Sequence, residues 1–121
     1  MTNRIETIND YVDRFWVKVL NAYSGFTNLD ENGKPYYSNY NDRYRQSSIA
    51  YLTEAFTLIE HADSFYRSDF KQGELPAFED IVHEFYLFNT SFLNEFNTNT
   101  TGQIYIEPLI EAYNEYSKYK S

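Results

Sequence analysis

The chain has 121 residues, with 18 acids against 10 bases, two His, no Cys, and an aromatic set of 10 Phe, 13 Tyr and one Trp. That length supports one core, the lack of Cys excludes disulfide scaffolds, Cys-ligated zinc and thiol chemistry, and a net charge of −8 argues against phosphate-neutralising nucleic-acid binding. No run of about 18 apolar residues occurs and the opening MTNRIETIND holds no signal-peptide hydrophobic region, so the chain reads as soluble and cytoplasmic.

Four segments carry helical period. The first is expected over about residues 4–23, where Ile8, Tyr11, Val12, Phe15, Val19, Leu20 and Tyr23 recur at steps of three and four and make one apolar stripe. Thr2 stands where a cap is needed, Glu6 and Asp10 suit the positive end of the helix dipole, and Ser24-Gly25 is the expected stop. Residues 24–41 read instead as an elaborated loop or short hairpin. Asn32-Gly33 is a tight-turn dipeptide, Pro35 forbids helix around it, and Phe26 and Leu29 are expected to face Tyr36 and Tyr37 across the turn. Asp30, Asn32 and Gly33 match the start of a calcium loop, but its later acidic ligands are missing, so no calcium site is expected.

The second helix is expected over about 42–67, with Ile49, Leu52, Phe56, Ile59, Ala62 and Tyr66 buried and Ala55 and Phe65 widening the stripe. The polar stretch Asp69 to Leu75, with Gly73 ahead of Pro76, is a connection. The third helix, about 76–96, has Pro76 in its first turn and an aromatic stripe of Phe78, Ile81, Val82, Phe85, Phe88, Phe92 and Phe96. Asn97 to Gly102 reads as a loop, and Gln103 to Ile106 as an extended lead-in, because the residue before a proline disfavours helical angles. The last helix is expected over about 108–119, with Leu109, Ala112, Tyr113 and Tyr116 on one face and Glu107, Glu111 and Glu115 on the other. The sum is an all-α, compact four-helix bundle-like single domain.

The charge is unevenly placed. Residues 72–117 contain eight acids (Glu74, Glu79, Asp80, Glu84, Glu95, Glu107, Glu111, Glu115) and no Lys or Arg. Solvated helices ordinarily mix both signs, so a one-signed stretch points to a partner of opposite charge, although acidic surfaces also serve solubility alone. The three C-terminal glutamates rise by about 6 Å per step, close to the interval between phosphates on a strand, so their row can imitate a nucleic-acid backbone. Asn94, Asn97, Asn99 and Asn114 stand among these acids and could add base-like hydrogen bonding.

A second concentration lies in Tyr36, Tyr37, Tyr40 and Tyr44, interleaved with Ser38, Asn39, Asn41, Asp42, Arg43 and Arg45. That is the composition of protein-binding loops, where Tyr offers large contact area at small entropic cost. It also fits the rim of an aromatic core. Stacking on single-stranded nucleic acid is disfavoured, because two Arg face the repulsion of the remaining acids.

Catalytic patterns are absent. The four glycines form neither a nucleophile elbow nor a phosphate loop. His61 shares a helix face with Glu54, and His83 with Asp80, yet a di-iron bundle needs Glu-x-x-His on two helices, and here one Asp-x-x-His stands alone. The expectation is no enzyme, no cofactor and no metal site, with His61 and His83 bordering the core beside carboxylates.

In length, acidity, Tyr and Asn richness and lack of catalytic motif, the chain is similar to the small inhibitors that mobile genetic elements encode against restriction and CRISPR nucleases. The likeness is one of composition and carries over no residues. It implies a stoichiometric inhibitor whose partner is a basic nucleic-acid-processing protein, with no direct contact to nucleic acid or membrane. The expected partner-binding residues are Tyr36, Tyr37, Tyr40, Arg43, Tyr44, Glu79, Asp80, Glu84, Glu107, Glu111 and Glu115. Alternatives are an immunity protein for a basic nuclease toxin, a phage assembly helper and a metal-binding helical bundle. The aromatic excess leaves a homodimer open.

Overall fold

The protein is described by a computed structural model covering residues 3–27, 42–98 and 106–120, with side chains for all of these except 26–27, 42–46, 95–98 and 119–120. The fold is all-α. Its helices are α1 (Arg4–Thr27), α2 (Asp42–Asp69), α3 (Pro76–Thr98) and α4 (Glu107–Lys120), and no strand occurs among the described residues. This is the helix complement of a four-helix bundle-like domain. The chain forms two compact units, Met1–Ser68 with α1 and α2, and Asp69–Ser121 with α3 and α4. The tight turn at Asn32-Gly33, Pro35 and the Phe26/Leu29 pairing with Tyr36 and Tyr37 lie outside the described residues, as does the stretch 99–105.

The start of α1 is capped by Asn3, while Thr2 lies outside the described residues. The Asn3 side-chain oxygen accepts the Glu6 N–H at 2.8 Å, satisfying one of the donors left unpaired at the helix start, and its carbonyl accepts the Thr7 N–H at 3.1 Å as the first bond of the helix. At the other end α1 passes through Ser24-Gly25 to Thr27, four residues beyond the expected limit near Tyr23. Glycine raises the cost of a helical turn by about 1 kcal/mol but does not forbid it.

The buried side chains of α1 are Ile8, Val12, Phe15, Val19 and Ala22, at steps of four and three. Leu20 is 41% exposed, and Tyr11 and Tyr23 are only half-buried, so the stripe is narrower than expected and is completed by a small residue. In α2 the same alternation holds for Ser48, Leu52, Ala55, Ile59, Ala62 and Tyr66, while Ile49, Phe56 and Phe65 are half-buried flanks. Steps of four and three repeat every seven residues, the period of a seam along which helices pack lengthwise. That seam selects Ser48 and Ala55 over the larger Ile49 and Phe56 beside them.

Between α2 and α3 the chain makes a closed turn. The Glu74 N–H donates to the Lys71 carbonyl at 3.0 Å and the Lys71 N–H donates to Glu74 Oε1 at 2.9 Å. Gly73, third in this turn, has φ 83°, the value a type II turn requires there and one that side chains resist. Leu75 then caps α3 through its carbonyl, which accepts the Glu79 N–H at 3.1 Å, and Pro76 takes the first helical position, where no N–H is needed. Phe78, Ile81, Val82, Phe85, Phe88 and Phe92 are buried as the periodicity indicates; the side chain of Phe96 lies outside the description. Phe88 and Phe92 meet nearly edge to face at 5.8 Å. The helix continues to Thr98, past the expected loop start at Asn97.

In α4, Ile106 is buried and caps the helix, its carbonyl accepting the Ile110 N–H at 2.9 Å. The helix therefore begins at Glu107, one residue before Pro108. Leu109, Ala112 and Tyr116 are buried where α4 packs on α3, and Tyr113 is half-buried.

Candidate functional site

Burial of Ile106, Leu109, Ala112 and Tyr116 on one side of α4 turns the opposite side to solvent, and Glu107, Glu111 and Glu115 are all exposed there. Four residues of helix advance about 6 Å, so the carboxylates form a row of that spacing. Glu107 sits in the first turn, where the helix dipole favours a negative charge. Glu115 is held by Lys118, whose Nζ lies 2.8 Å from its Oε1, both side chains being more than half exposed. Lys118 stands seven residues from Glu111 and hence on the same face. The row is thus one-signed at Glu107 and Glu111 and ends in an ion pair, a feature just past the lysine-free stretch.

The acids of α3 divide by role. Glu79 is half-buried, and its Oε2 accepts the Gly73 N–H at 2.7 Å, so this carboxylate fastens the preceding turn. Asp80 is exposed and Glu84 half-buried. Of the three expected contacts on α3, Asp80 is the one fully presented to solvent.

Tyr36, Tyr37 and Tyr40 lie outside the described residues. Arg43 and Tyr44 fall in the first turn of α2, with their side chains outside the description.

His61 and His83, expected to border the core, are exposed. The Glu54 carboxylate that shares a face with His61 is bound by Lys18 at 2.8 Å. Among the described residues no group of three or more His, Asp or Glu side chains is placed to hold a metal ion.

Sequence reasoning missed a cluster in the unit of α1 and α2. Lys18 reaches from α1 to Glu54 on α2, and its ammonium also lies 5.4 Å from the centre of the Tyr51 ring. The Lys18 pKa is raised, chiefly by the hydrogen bond to Glu54; desolvation opposes this, and the charges of Glu54 and then Tyr51 add to the rise. Arg14, one turn earlier, pairs with Asp10 at 3.2 Å and stacks on Tyr11. Between these groups runs an open groove lined by Val17, Thr53, Thr57 and Leu58. Its signal in the sequence was the apolar Val17, which stands off the stripe and is 55% exposed.

The chain matches no family model, no curated protein and no solved structure.

Proposed function

We propose that this protein is a non-catalytic, stoichiometric inhibitor that binds a basic nucleic-acid-processing protein in the cytoplasm and occupies its phosphate-binding groove. Restriction and CRISPR nucleases are the class of target this reading has in view. The observation that carries it is the exposed face of α4, where Glu107 and Glu111 stand about one turn apart within a stretch of 46 residues lacking Lys and Arg. Carboxylates so spaced present Lys and Arg side chains with the charge and interval of a nucleic-acid backbone, and complementary fields speed encounter and set register. Asp80 on α3 adds a further exposed charge to the same unit. Glu79 also fastens the turn before α3 through its Oε2.

The test is charge reversal with a matched control. A partner is first captured from host lysate at low salt, and the double variant Glu107→Lys/Glu111→Lys is compared with Glu60→Lys, an exposed acid of α2. The proposal expects the double variant to lose affinity by tenfold or more, about 1.4 kcal/mol, with its helical circular dichroism intact. Glu60→Lys is expected to bind as the parent does. Equal binding by all three proteins would sink the mimicry mechanism.

A further inference from the structure

We draw no further inference here: the strongest candidate, the open groove between α1 and α2 beside exposed Val17, carries nothing, because the cations at its rim, Arg14 and Lys18, are already paired with Asp10 and Glu54 and nothing in the structure shows what covers it.

Discussion

Phe85 has no exposed surface, while Leu87, two residues on along α3, is 55% exposed. Truncating a fully buried aromatic side chain loses its transfer free energy and leaves a cavity, so Phe85→Ala is expected to cost about 3–5 kcal/mol. Leu87→Ala should change stability by no more than about 0.5 kcal/mol. Urea denaturation of the two variants measures both, and equal losses would contradict the assignment of the α3 core face. Lys18 gives a second test at this scale. Its pKa is raised above the ordinary value of 10.5 by its bond to Glu54, so folding favours the protonated form. The resulting stabilisation is fully present below pH 10.5 and is lost as pH climbs through the higher folded-state value. Melting temperatures of the parent and Lys18→Met should therefore differ at neutral pH and converge in strong alkali. The pair is more than a third exposed and screened by solvent, so the difference will be small. A gap that persists unchanged above that range would assign it to packing of the lysine stem on Tyr51 instead.

At the scale of the elements, the helix interiors and the starts of α2 and α3 were legible, while the cap of α1 and the C-terminal ends were not. A periodic stripe extends over many residues and survives one misread position, whereas a cap depends on a single hydrogen bond. Thr2 and Asn3 are both capping types, Asn the stronger, and the bond from Glu6 N–H identifies Asn3 as a cap. Asn3→Ala should cost about 1 kcal/mol, read by thermal melting, and Asn3→Ser should restore most of it. The turn before α3 is the other place where one residue governs an element. Gly73 adopts φ 83°, and a Cβ there would meet nothing within 4 Å, so Gly73→Ala is penalised by backbone conformation alone. The expected loss is about 1–2 kcal/mol, and it should be smaller for Gly73→Asn, since Asn tolerates left-handed angles. If the two substitutions cost the same, the turn geometry is not what limits α3. The seam of α2 shows a further limit of pattern reading. Apolar size favoured Ile49 and Phe56 for the core, but steps of four and three bury Ser48 and Ala55 and leave their larger neighbours on the flank. Where small and large residues adjoin on a helix, the period that the packing partner imposes chooses between them.

Across the whole molecule, charge follows the division into units. Residues 1–68 hold nine acids and seven bases, a balance of −2, and residues 69–121 hold nine acids and three lysines, a balance of −6. An exposed interface of such charge is screened by salt, the Debye length falling from about 10 Å at 0.1 M to about 3 Å at 1 M. Affinity for a captured basic partner should accordingly fall at least tenfold over that range, measured by calorimetry, whereas a partner held by apolar contacts would be released little or not at all.

The linear order of residues by itself determined that the fold is all-α, that the described residues form four helices at roughly these positions, and that the negative excess falls toward the C-terminus. Period and charge are counted along the chain, and no neighbour is needed to read them. Tertiary structure decided which candidate stripe is buried and which carboxylates remain exposed. Glu54 faces Lys18 on another helix, and Glu79 closes on the Gly73 N–H six residues back, while Glu107 and Glu111 stay exposed. The carboxylate is the same group in all four cases; what differs is the donor that folding brings within hydrogen-bonding distance, and that partner is what separates a fastened acid from an exposed one.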